Sequence, residues 1–205
     1  MAMRSTRKVG RRAFLAGAVV GTIAAACLQK AIAHTPYRQW AVYRKKHLII
    51  GTCRADPESY PFGKQLARLL AKELPESKAR VARAPDQQRL ASLITTGQLE
   101  LVLLSHQEGR QLRLGMPPFE DYGPFDALVV FEFDGYLLLG SDSLPEYHAW
   151  IIADTLTRAL GRAPLLGAER LPVPVHPGTS ALVEGRTLQP GLLGQDAVGD
   201  ENHPD

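Results

Sequence analysis

Cysteine is nearly absent from this sequence, with two in 205 residues, Cys27 and Cys53, so a disulfide-built scaffold is excluded. No glycine period exists, which excludes a collagen-like rod. The longest uninterrupted apolar stretch, Ala13–Leu28, has 16 residues, short of the roughly 20 that a bilayer-crossing helix needs. Charge of one sign is also missing: 24 Lys plus Arg stand against 21 Asp plus Glu, a net +3. That excess is local. Arg4, Arg7, Lys8, Arg11, Arg12 and Lys30 fall before residue 34 with no acid among them, and the remainder has 18 basic against 21 acidic residues. The basic isoelectric point is therefore no argument for a nucleic-acid partner. What the chain does have is 45% hydrophobic residues, enough for one globular domain of this length.

The first 33 residues read as an address. Arg11-Arg12-Ala13-Phe14-Leu15 opens the apolar run, and paired arginines before Phe14 and Leu15 resemble a twin-arginine export signal. Ala31-Ile32-Ala33 fits a small-x-small cleavage site that leaves His34 first. Two other ends stay open: Ala24-Ala25-Ala26-Cys27 as a degenerate lipobox with a lipid on Cys27, or an uncut signal that tethers the protein. Each places the folded part in a bacterial periplasm, free or membrane-anchored, after passage through the Tat translocase. Residues 34–46, with Tyr37, Trp40, Tyr43 and Arg44-Lys45-Lys46, read as a basic, aromatic extension. After cleavage Cys53 alone remains, a small packed residue by expectation.

From His47 the pattern becomes regular. His47–Thr52 is a short apolar run ending at glycine, the mark of a buried strand. Phe62, Leu66, Leu69, Leu70 and Leu74 then recur at helical spacing until Pro75. Lys78–Ala82 alternates like a half-exposed strand, Asp86–Thr96 is a shorter helix with Leu90, Leu93 and Ile94 inward and Gly97 ending it, and Leu99–Leu104 is a third strand. This order implies parallel strands joined by right-handed crossovers. Gln107–Phe125 is Gly-, Pro- and polar-rich and reads as a loop or flap. Ala127–Phe133 and Tyr136–Gly140 flank Asp134-Gly135, a hairpin turn pair. Ser143-Leu144-Pro145-Glu146 fits a capping box for a helix burying Ile151, Ile152, Thr155, Leu156, Ala159 and Leu160 and ending at Gly161. Pro172–Gly178 is turn-rich. Residues 189–205 carry four acids and no Lys or Arg, an acidic tail expected to be disordered.

In parallel sheets ligands bind beyond the carboxyl ends of the strands. Thr52, Arg54 and Tyr60 follow the first strand, and Ser105, His106 and Gln107 the third. Together they form a candidate polar cleft in which Arg54 pairs an anion bidentately and helix amides assist. The plain alternative makes Arg54 and Asp56 solvated loop charges and Thr52 a cap. Ser105 and His106, adjacent at a strand end, would point in opposite directions and cannot act as nucleophile and base. No Gly-x-Ser-x-Gly elbow occurs, and His106, His148 and His176 form no local ligand pair. No catalytic residue, cofactor or metal is expected.

The stretch from Leu48 to Leu74-Pro75 resembles the start of the mature TAXI solute-binding proteins, extracytoplasmic receptors of TRAP transporters. Gly51-Thr52, Tyr60-Pro61, Gly63 and Leu74-Pro75 fall at that family's spacing. Leu90–Leu104 resembles its next helix-strand unit, Asp142–Glu146 its late returning helix, and Val173-Pro174-Val175-His176-Pro177-Gly178 its closing segment. The resemblance implies an α/β fold: a periplasmic-binding-protein-like single lobe over residues 47–188, with a mainly parallel sheet flanked by helices. It implies a small carboxylate or other anion as ligand, or a lobe that docks a protein partner as a periplasmic accessory or assembly protein. Two departures stand out. The interval between Leu104 and Asp142 is too short for the family's second lobe, and the loop Cys53–Ser59 contains none of the family's glycines.

Overall fold

In the computed structural model, residues 47–167 and 171–189 are described; the expected export signal, the expected 34–46 extension and the expected tail beyond Gln189 lie outside them. The apolar runs and helical periodicity of the first half build β1 (Ile49–Cys53), α1 (Ser59–Glu73), β2 (Arg80–Ala84), α2 (Gln87–Thr95) and β3 (Leu101–Ser105). The second strand begins later than Lys78. Pro75–Ser77 forms a 3-10 turn and Lys78 caps it in the left-handed region at φ 45°, which takes those residues out of the strand. Asp86 caps α2, accepting from Arg89 N at 2.7 Å. Leu93 is only partly buried, and Ala91 joins Leu90 and Ile94 in the core.

The second half holds the larger corrections. The expected loop after Ser105 starts with a helix, α3 (His106–Leu114). Ser105 Oγ accepts from Glu108 N while Glu108 returns its carboxylate to Ser105 N, a complete capping box. Only then does the chain become irregular, with a 3-10 turn at Glu120–Tyr122 before β4 (Ala127–Phe133). Its return strand is β5 (Tyr136–Ser141), joined through Asp134-Gly135 with Gly135 at φ 84°. The capping box expected at Ser143 is not made. Pro145 is the N-cap of α4 (Glu146–Leu160) with no side-chain cap bond, and the Ser143 hydroxyl pairs with Ser141 Oγ at 2.7 Å. Ala159 and Leu160 prove exposed, and Ala149 and Ala153 are buried in their place. The turn-rich segment runs into a further helix, α5 (Pro177–Val183), with Pro177 at its permissive first position.

The sheet order is β2-β1-β3-β5-β4. β2, β1 and β3 are parallel, whereas β5 is antiparallel to both β3 and β4, so the sheet is mixed rather than mainly parallel in its pairing. The two-residue turn forces this, since a hairpin can only join antiparallel strands. Side chains alternate between two cores. Ile50, Leu101, Leu103 and Leu138 face α1 and α4, whereas Ile49, Val102, Leu104, Leu137 and Leu139 face α2 and α3. A bulge between Val129 and Phe131 switches faces within β4, sending Phe131 and Phe133 toward α1 and α4 and Glu132 to the other side. Truncating a buried leucine such as Leu103 would cost about 2–5 kcal/mol. Glycine is required where α5 meets α4: a Cβ on Gly178 would overlap the Glu146 carbonyl oxygen.

Candidate functional site

The carboxyl ends of β1 and β3 lie side by side, and the hairpin turn between β4 and β5 reaches the same end, since Tyr136 pairs with both Ser105 and Phe133. The six residues of the candidate cleft do not line one cavity there. Thr52 is fully buried within β1, its hydroxyl donating to Ala82 O at 2.9 Å. Arg54 is exposed. Tyr60 turns toward β2, with Lys64 Nζ and the Arg83 guanidinium 4.9 and 5.0 Å from its ring centroid. Ser105 is held by Glu108, and Gln107 is exposed on the first turn of α3.

His106 opens α3 instead of ending the strand, so the opposite-facing argument for Ser105 and His106 does not describe them. Its Nε2 lies 3.7 Å from Glu132 Oε1, too far for a hydrogen bond. The other Glu132 oxygen accepts from Leu166 N at 2.6 Å.

Two carboxylates that sequence reasoning did not assign organise this end. Asp56 Oδ1 accepts from Glu58 N and Ser59 N at 3.1 and 3.3 Å, the N-cap and first amides at the start of α1. Its second oxygen takes the Tyr136 phenol at 2.7 Å. Glu108 Oε2 accepts from Ser105 N and Oγ at 3.1 and 2.8 Å, and its other oxygen takes Gln87 Nε2 at 3.3 Å. Helix N-termini favour anions through unpaired amides and the helix dipole. Here the chain's own carboxylates occupy those positions.

The charges acting on Tyr136 and Cys53 are accordingly acidic. Burial first, then the hydrogen bond and charge of Asp56, hold the Tyr136 phenol well above the ordinary tyrosine range, with Glu108 and Glu58 adding to it. Burial also pushes the Cys53 thiol up; bonds from the Ala55 and Asp56 amides oppose this, and Glu108 and Asp86 reinforce it. Residue 53 is 1% exposed, which matches a packed role. The Ser105-x-x-Glu108 spacing could have revealed Glu108, and Asp56-Pro57 is a turn-initiating pair. The Tyr136–Asp56 bond had no local signal, since 80 positions separate the partners.

The histidines are spread apart. His106 is at the carboxyl end and His148 lines a cleft at the opposite, amino end of the sheet. His176 is buried with both ring nitrogens engaged: Nδ1 accepts from Gly178 N at 3.1 Å, so Nε2 donates to Leu144 O at 3.0 Å. Burial lowers its pKa, partly offset by the Leu144 carbonyl and by Glu146. Among the described residues no three His, Cys, Asp or Glu side chains group as metal ligands, and no helix is long and apolar enough to cross a membrane. No protein-family model matches the chain, and no curated protein is similar to it.

Proposed function

We propose that this is an exported, non-enzymatic, one-lobed relative of the TAXI-type solute-binding proteins that docks a periplasmic protein partner, in preference to enclosing a small anion. The observation that carries this reading is that Asp56 and Glu108 already accept from backbone amides at the starts of both helices. An anionic ligand at those amides would have to displace a carboxylate already bonded to them.

The hairpin supports the one-lobed part. β4 leaves the sheet at Phe133 and β5 re-enters beside it at Tyr136, at the carboxyl end where a second lobe would hang. Two residues, Asp134-Gly135, close that gap. The Tat-type signal supports the periplasmic placement, either after cleavage at Ala33 or with an anchor through Cys27 or the uncut segment.

A thermal-shift panel of C4 to C6 carboxylates and amino acids on the full-length chain tests the choice. An anion at a hundred times its dissociation constant would add about 2.7 kcal/mol and raise the melting point by several degrees. The expected result is no shift, together with a discrete protein adduct in cells when a photo-crosslinking residue replaces Arg54 at the exposed rim. A clear carboxylate shift, abolished on substituting Arg54 and Tyr60, overturns the docking reading in favour of a compact receptor.

A further inference from the structure

We infer that the cleft at the amino end of the sheet is a binding site for a small hydrophobic amine, an ammonium group on an aliphatic body. This is separate from the carboxyl-end reading and does not depend on it. The cleft has a volume of about 320 Å³, at the lower end of small-molecule sites. Its floor is apolar: Leu48 ahead of β1, Leu74 after α1, and Ile151 and Ile152 on α4.

Its walls differ in kind from the carboxyl end. Glu76 comes from the 3-10 turn and Glu100 from the residue before β3, and no Lys or Arg lines the cleft among the described residues. Neither carboxylate accepts a hydrogen bond from a described residue. Glu100 is exposed as a residue, yet crowding around its carboxyl raises the pKa above the usual carboxylate value, with the His148 charge pulling the other way. The remaining titratable groups facing the cleft are His47 and Tyr147.

An ammonium at this rim pairs with a partly desolvated carboxylate. The Tyr147 ring, stacked on Trp150 with centroids 6.2 Å apart, adds an aromatic face of the kind cations favour. The alkyl body covers the leucine and isoleucine floor. A neutral analogue keeps only the floor, and an anionic one meets two carboxylates.

Calorimetric titration of the full chain with hexylammonium, hexanol and hexanoate separates these contributions. Hexylammonium is expected to bind most tightly, with hexanol weaker by about tenfold, as the loss of one charge-assisted hydrogen bond implies, and hexanoate weaker again. Glu100→Gln is expected to bring hexylammonium down to the level of hexanol while leaving hexanol unchanged. Glu76→Gln gives a second reading on the rim should Glu100→Gln disturb folding. Equal binding of all three compounds, no heat with hexylammonium up to roughly millimolar concentrations, or carboxamide variants that bind it like the parent overturns the assignment. Carboxylate binding abolished by the Arg54 and Tyr60 substitutions would overturn the docking proposal and leave this one standing.

Discussion

At the carboxyl end of the sheet, Asp56 and Glu108 each accept hydrogen bonds from at least two donors of their own chain. At the amino end, Glu76 and Glu100 line a cleft and accept none from a described residue. The same functional group is thus a structural pin in one place and an open charge in the other. The difference lies in the donors within reach. Asp56 precedes the start of α1 and Glu108 sits in the first turn of α3, so each carboxylate reaches amides at a helix start that have no partner within the helix. Near Glu76 and Glu100, α1 ends and β3 begins, where helix carbonyls instead of amides are left over. A carboxyl-end location alone, the usual guide in parallel sheets, therefore says less than the hydrogen-bond census of that end.

Removing the pin at Asp56 should do the most damage. Asp56→Ala takes away the acceptor of the N-cap and first amides of α1 and the partner of the Tyr136 phenol, and a loss of about 2–4 kcal/mol is expected in urea unfolding. The same variant should bring the ionisation of Tyr136 down toward the ordinary tyrosine range in an ultraviolet titration. In the parent, the folded pKa of Tyr136 is raised, so its stabilising contribution is present below the ordinary tyrosine pKa and is lost as pH rises from there through the raised value. A near-silent Asp56→Ala would break the comparison, because the carboxyl end would not need its own carboxylate.

Glu108→Ala comes next. It opens the capping box of α3 and frees Gln87, and about 1–2 kcal/mol is expected. Rescue by Glu108→Gln, which preserves a capping-box acceptor, would assign the effect to hydrogen bonding; failure of that rescue would assign it to charge at the helix start.

Glu100→Gln should change stability least, within about 0.5 kcal/mol for an exposed, solvent-screened position. The sign sharpens the comparison. A raised folded pKa means the folded chain holds this proton more tightly. The benefit is complete below the ordinary value of 4.5 and is lost as pH rises through the raised pKa. Glu100→Gln should therefore flatten that fall and slightly stabilise the chain at neutral pH. A clear destabilisation instead would show that Glu100 has a structural partner, as Asp56 does.

How far the chain could be read in advance follows the same division between local and distant causes. β1, α1, α2 and β3 were legible because Leu66, Leu70, Leu90, Ile94 and Leu101–Leu104 repeat at the period of their own element. α3 was hidden because the glycine and two prolines of Gly115–Pro118 colour the whole segment as loop, although Ser105-x-x-Glu108 marks a helix start. α5 was hidden for a related reason. Pro177-Gly178 looks like a turn, yet Pro177 suits a first helical position and Gly178 is there because α4 passes too close for a side chain. Of the candidate site, Thr52 and Ser105, expected to follow the first and third strands, instead lie within the last two residues of β1 and β3. That their hydroxyls face Ala82 and Glu108 could not be read from their positions.

By itself the sequence determined the alternating strands and helices of the first half, the hairpin at Asp134-Gly135 and the helix stop at Gly161, since each rests on periodicity or turn chemistry within a few residues. Only the tertiary structure decided that β5 enters between β3 and β4, that Tyr136 reaches Asp56, that His176 gives both nitrogens to the backbone, and that a cleft forms from Leu48, Leu74 and Ile152. Those outcomes depend on which surfaces meet when the two cores close on the sheet. The partners come from residues tens of positions apart, whose proximity no local pattern encodes.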